Sequence, residues 1–158
     1  MITIEVIGAP RIEEAIRRLH SKLTSLKSPM SEIGTFFTNT MEDSFDNEQS
    51  PDGTPWHPLK ESTKRSKAKR GEHKMLQSKD SNMYESINSQ ADEHSVIAGV
   101  NAFSKDGYPY PLVHQFGSKD GTIVARSFAP ITKDGNLTRG VEEEIYSILE
   151  DYLREYVD

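Results

Sequence analysis

Ser86-Ile87-Asn88-Ser89-Gln90-Ala91-Asp92-Glu93-His94-Ser95-Val96-Ile97-Ala98-Gly99-Val100 brings the β element into this chain. Ser95 to Val100 reads as a strand. The polar turn Ala91-Asp92-Glu93-His94 pairs it with a segment near residues 86–90. Just upstream, Met83, Tyr84 and Ile87 are spaced for a brief helical turn. Further towards the N-terminus, Met30, Ile33, Phe37, Met41 and Phe45 recur at helical spacing after Ser28-Pro29, read as an N-cap serine followed by proline at the first helical position. Such an aromatic and methionine stripe is read as core packing, not as a cofactor pocket. Before it, Ile12, Ile16, Leu19, Leu23 and Leu26 mark a first amphipathic helix from residue 11 to about 26, and residues 2–7 alternate with the period of a half-buried strand.

Between the helices and the hairpin, periodicity fails. Ser50-Pro51-Asp52-Gly53-Thr54-Pro55-Trp56-His57-Pro58 is turn chemistry around the single Trp. Residues 60–74 are almost wholly polar and rich in Lys and Arg, either a short helix or a mobile loop. Beyond the hairpin, Ser104-Lys105-Asp106-Gly107 is a loop, residues 122–126 read as another short strand, and Val141, Ile145, Ile148, Leu149, Tyr152 and Tyr156 form the stripe of a last helix over about 138–157. The expected fold is α+β: one domain over residues 1–158, a small antiparallel or mixed sheet packed by two N-terminal helices and a C-terminal helix, with a flexible polar and basic stretch at about 47–80.

Composition narrows the function. The 158 residues are 34% hydrophobic and 28% charged, with a mean hydropathy of -0.67. This implies a modest core with long solvated loops, or a core completed by neighbouring subunits. Without cysteine there is neither a disulfide framework nor a thiolate metal site. No apolar stretch approaches the ~20 residues that span a bilayer, so no membrane association is expected. The N-terminal residues lack the basic region of a signal peptide. A net charge of -6 argues against general nucleic-acid binding, which relies on clustered Lys and Arg.

Tyr110-Pro111-Leu112-Val113-His114-Gln115-Phe116-Gly117 supplies the chemistry worth weighing. Pro111 can open a single helical turn and Gly117 can end it in a left-handed conformation, with Tyr110, Val113 and His114 on one face. His114 lacks a partner at ligand spacing, so the favoured reading is a histidine that hydrogen-bonds backbone and fixes the turn, with no metal and no cofactor. His20, His57, His73 and His94 form no metal-binding pattern, and nucleophile and nucleotide motifs are absent. The acidic cluster Glu42, Asp43, Asp46 and Glu48 reads as a solvated helix end. The basic stretch, with Lys64, Arg65, Lys67, Lys69 and Arg70, is either a solvated loop or a surface facing DNA or an acidic partner; it lacks interleaved aromatics for base stacking.

Five fragments occur in an order that resembles the phage virion morphogenesis family, which includes the tail-completion protein of Mu-like phages. They are Ser44-Phe45; Pro51 to Leu59 around Trp56; Thr63 with Met75-Leu76-Gln77-Ser78 and Ser86-Ile87; Val96 to Val100; and Val113-His114-Gln115-Phe116-Gly117 followed by Ala125-Arg126-Ser127-Phe128. The likeness runs from about residue 36 to the C-terminus. The family usually has Ala where Pro111 stands, and often Pro where Val124 and Ser127 stand. The resemblance implies a structural, non-enzymatic, tail-terminator-like protein that forms a ring, six-fold like the tail, at the end of the tail tube and supports head-tail joining. Its implied partners are itself, the tail tube protein and the head-tail connector proteins, with non-specific contact with DNA in the lumen left open. Its implied location is the bacterial host cytoplasm during assembly, then the virion tail. On this reading Trp56, His114, Gln115, Phe116, Gly117, Arg126 and Phe128 are fold-signature or interface residues, with Arg126 suited to a carboxylate across an interface. The alternatives are a neck protein of the head-tail connector, or a metal-dependent hydrolase using His114 with the carboxylates of residues 42–48. A small nucleic-acid-binding regulator is opposed by the net charge.

Overall fold

The computed structural model describes residues 14, 17–18, 20–21, 25–79 and 82–155. The expected strand at residues 2–7 lies outside them, as does the apolar stripe of the first expected helix up to Leu23. Glu14, Arg17, Arg18, His20 and Ser21 are helical and exposed, with Arg18 paired to Glu14 at 2.7 Å.

Helix α1, Lys27–Asn47, carries the anticipated stripe: Ile33, Met41 and Phe45 are buried and Phe37 packs against them. Its start differs from expectation. Leu26 is the N-cap and makes no side-chain cap; the Met30 amide donates to the Leu26 carbonyl at 3.0 Å. Pro29 is therefore the third helical residue, where its missing N–H falls among those with no intrahelical partner anyway. Glu48, at φ 54° and ψ 44°, ends the helix in a left-handed turn.

Strands β1, Ile87–Ala91, and β2, Val96–Val100, form the expected antiparallel hairpin, in register from Ile87 opposite Val100 to Ala91 opposite Val96. Asp92 sets the turn by accepting from the amides of His94 and Ser95, both at 2.7 Å, an arrangement Asp favours because its side chain can mimic a backbone turn. Helix α1 lies directly on this hairpin. A Cβ on Gly34 would come within 2.9 Å of Ser89 Oγ and 3.2 Å of Val96 Cγ2, so any larger residue forces those side chains to shift.

The core centres on Phe45, which is fully buried. Its ring meets Trp56 edge-on at 5.6 Å, Tyr84 at 5.8 Å and Phe128 at 5.2 Å, geometries that add to simple burial. Met41, Met83 and Ala102 close the cluster. Helix α2, Glu61–Lys69, resolves the basic stretch as a helix, ended by Gly71 at φ 71°. The brief helical turn near Met83 is a 3-10 turn at Tyr84–Ser86.

After the hairpin come α3, Tyr110–Phe116, and α4, Val141–Arg154. The stripe of α4 is as expected as far as Tyr152, with Val141 and Ile148 buried and Ile145, Leu149 and Tyr152 half-buried; Tyr156 lies outside the described residues. Among the described residues its principal contacts are with α1. Tyr152 helps fix it there by donating to the Ser25 carbonyl at 3.2 Å. The strand expected at residues 122–126 does not form. Among the described residues the sheet is the two-stranded antiparallel hairpin, in an α+β fold.

Candidate functional site

The residues expected to matter converge on one hydrogen-bonded unit. Helix α3 begins with Pro109 as N-cap and Pro111 in its first turn. It ends at Gly117, which is not in the expected left-handed conformation: its φ of 79° comes with an extended ψ of 164°, a region open essentially to glycine alone. A Cβ there would stand 3.1 Å from the Ile123 carbonyl, so the returning chain passes close behind the glycine. Asp120 shapes that return. It accepts from Ser118 Oγ at 2.5 Å and Thr122 Oγ1 at 2.7 Å, and these bonds hold its carboxyl down to about pKa 2.

Gln115 is the centre of the unit and is only 3% exposed. Its Oε1 accepts from the Phe128 and Ala129 amides, both at 2.9 Å, and its Nε2 donates to the Ala129 and Ile131 carbonyls at 3.0 and 3.1 Å. Both ends of a side-chain amide are thereby satisfied by main chain. Its own carbonyl accepts from Ser127 Oγ at 2.9 Å. Within the expected strand, the Thr122 and Ile123 amides bond the Asp120 and Ser118 side chains at 3.1 and 2.8 Å, and the Arg126 amide bonds the His114 carbonyl at 2.7 Å, in place of a neighbouring strand.

The Trp loop docks onto the same segment. Asp52 accepts from the Thr54 amide at 2.9 Å, which lowers its pKa, and the Trp56 amide reaches the Glu48 carbonyl at 2.8 Å. Trp56 is thereby delivered into the core, where its Nε1 donates to the Ser127 carbonyl at 2.8 Å. Arg126 reaches the other way. Its Nε donates to the His57 carbonyl at 2.9 Å and its Nη2 to the Pro58 carbonyl at 3.3 Å. The guanidinium meets backbone within its own chain, where the sequence led us to expect a carboxylate across an interface. Burial lowers its pKa.

His114 fixes the turn through its main-chain carbonyl and not through its ring. The ring stands edge-on to Tyr110 at 6.3 Å, and its buried Nδ1 has no hydrogen-bond partner. Burial first, then the nearby Arg126 charge, lowers its pKa and keeps the imidazole neutral at pH 7. Phe116 and Gly117 are half-buried at the end of α3, and Phe128 is buried in the core.

The basic residues divide. Lys64, Arg65 and Lys69 are exposed on α2. Lys67 is buried, a correction to its expected place on an outward basic surface: its Nζ donates to the Gln77 carbonyl at 2.7 Å and pairs with Glu72 at 3.4 Å. Arg70 also pairs with Glu72, at 3.0 Å. Hydrogen bonds from Arg70, the Lys79 amide, Lys67 and Ser78 hold the Glu72 carboxyl down to about pKa 2. Sequence reasoning missed Glu72, whose available signal was an acid between the basic residues of the run. Glu48, read as part of a solvated helix end, instead accepts from the Met75 amide at 2.6 Å.

Between α2 and the Arg126 segment opens a cleft of about 490 Å³. His57 and His114 both line it, yet among the described residues no three His, Asp or Glu side chains are placed to hold a metal ion. Of the carboxylates of residues 42–48, Asp46 accepts from the Tyr84 hydroxyl at 3.4 Å and Glu48 from the Met75 amide at 2.6 Å. Among the described residues no helix is long and apolar enough to cross a membrane.

A model of the phage virion morphogenesis family matches residues 8–156. No curated protein and no solved structure matches the chain.

Proposed function

Because the chain belongs to the phage virion morphogenesis family, we propose that it is a structural tail-completion protein. It forms a ring at the end of the tail tube, six-fold like the tail, and supports the joining of tail to head. The family match over residues 8–156 carries this reading. The disposition of the polar residues supports it: the signature residues Trp56, Gln115, Arg126 and Phe128 spend their hydrogen bonds and packing on holding loops in one shape, as a subunit that meets neighbours requires. In this reading Lys64, Arg65 and Lys69 face the lumen and contact the passing DNA backbone, while Phe116 and Gly117 shape the surface beside the cleft.

The mass in solution, measured by light scattering across a concentration series and joined to negative-stain images, tests the ring. A closed multimer of defined subunit number is expected. A monomer at every concentration, with no assembly on added tail tubes, would overturn the proposal. Metal analysis and a nuclease assay address the hydrolase alternative; stoichiometric metal with turnover abolished by His114→Ala would replace the structural reading.

A further inference from the structure

Two surfaces of this chain are chemical complements that nothing within the chain brings together. The first is the cleft. Lys60, Lys67, Arg70 and Arg126 line it, and no carboxylate does. Glu72 bonds Lys67 and Arg70 and offsets one of their two charges. Lys60 is exposed and has no ion-pair partner among the described residues. The apolar part of the wall is Leu76, Met83, Ile123 and Val124, and the last two remain exposed. Lys67 and Arg126 are buried in the wall, with their donors on Glu72 and main-chain carbonyls, so the cations that face outward are Lys60 and Arg70. Exposed cations beside the exposed apolar Ile123 and Val124 suit an occupant that carries negative charge beside an apolar group.

The second surface is the outer face of α4. Glu143, Tyr146 and Glu150 stand three and four residues apart, so they share one side of the helix, and all three are exposed. Tyr146 is 63% exposed, an aromatic side chain held away from the α4 core stripe. The acids of the first turn, Glu142 to Glu144, complement the helix dipole. That effect accounts for neither Glu150, about two turns further on, nor Tyr146. Only Glu150 has an ion-pair partner among the described residues, the exposed Arg154 at 3.3 Å.

We propose that the outer face of α4 in one copy of this chain docks in the cleft of the next. Tyr146 enters against Ile123 and Val124, and Glu143 and Glu150 meet Lys60 and Arg70. The two patches differ, so the contact is heterologous, the kind that closes into a ring when the rotation per subunit allows it. The inference rests on the ring reading and names the surfaces that would build it.

The natural absence of cysteine makes the contact directly testable. Thr63 lines the cleft and Ser147 lies on the outer side of α4; both are exposed and uncharged, so Thr63→Cys with Ser147→Cys leaves the proposed contacts intact. Mild oxidation of the full-length double variant is expected to give a ladder of disulfide-linked multimers on a non-reducing gel. Each single variant, and the control pair Arg65→Cys with Ser147→Cys, gives no ladder. Glu143→Lys with Glu150→Lys is expected to weaken assembly at least tenfold, with unchanged circular dichroism confirming the fold. Wild-type multimers combined with no ladder from the double variant would overturn the docking surfaces while leaving the ring standing. A wild-type chain that stays monomeric overturns the ring, and the proposal with it. Protection of the thiol introduced at position 63 by tail tubes, but not by self-association, would instead assign the cleft to the tube and overturn the proposal.

Discussion

Replacing Gln115 with leucine removes a side-chain amide that stands in for a strand, and the consequence can be worked from its four bonds. The Phe128 and Ala129 amides lose their acceptor and the Ile131 carbonyl loses its donor. The Ala129 carbonyl keeps one bond, from the Ile131 amide at 2.8 Å. Each buried group left without a partner costs about 1–3 kcal/mol, and the buried Phe128 amide lies at the upper end. Leucine is close in volume and returns about 1 kcal/mol through apolar burial. With about 3 kcal/mol for the Phe128 amide and about 1 each for the other two groups, the net loss is about 4 kcal/mol. With a denaturant slope of about 1–3 kcal/mol/M, the urea midpoint should fall by about 1–4 M, compared at one protein concentration. Gln115→Glu refines the test. Its carboxylate keeps both acceptor bonds but sets a negative charge against two carbonyls, so its deficit relative to wild type should shrink as pH falls and the group protonates. A Gln115→Leu protein within about 0.5 kcal/mol of wild type, well below the cost expected for orphaned buried groups, would refute this account of the unit.

Gly34→Ala should destabilise by about 1–3 kcal/mol in thermal or urea unfolding, because the added methyl meets Ser89 and Val96 across the closest helix–hairpin approach. Arg126→Lys keeps the charge but cannot reach two carbonyls with a rigid fork. It should lose about 1–2 kcal/mol and expose Trp56, read as a red shift in its fluorescence. The pH dependence has a definite sign. Glu72 is held at about 2 against an ordinary 4.5, so its contribution is complete above pH 4.5 and is lost as pH falls towards 2. Glu72→Gln should flatten that acid limb in urea titrations at stepped pH. His114, buried neutral with its pKa below 6.5, adds a separate loss of stability as pH falls below 6.5, which His114→Gln should remove.

Much was legible in the sequence because it is local. The stripe from Ile33 to Phe45, the stripe of α4, the hairpin across Asp92 and the opening and closing of α3 by Pro111 and Gly117 depend on spacing and on the φ preferences of neighbouring residues. The order of short motifs identified the family. What went unread depends on partners distant along the chain. Residues 122–126 carry strand-like residues but form no ladder, because the Arg126 amide is taken by the His114 carbonyl and the Thr122 and Ile123 amides by the Asp120 and Ser118 side chains. Lys67 has the same sequence setting as Lys64, yet it is buried because Glu72 and the Gln77 carbonyl replace the water it gives up.

The sequence by itself determined the helical stripes of α1 and α4, where the hairpin turns and which family the chain belongs to, because helix periodicity and turn propensities act over a few residues. Only the tertiary structure decided that Arg126 serves its own backbone, that Gln115 replaces a strand, and that a cationic cleft opens beside α2. A buried polar group is stable only opposite a partner that repays its lost hydration, and that partner is set by where the chain returns in space.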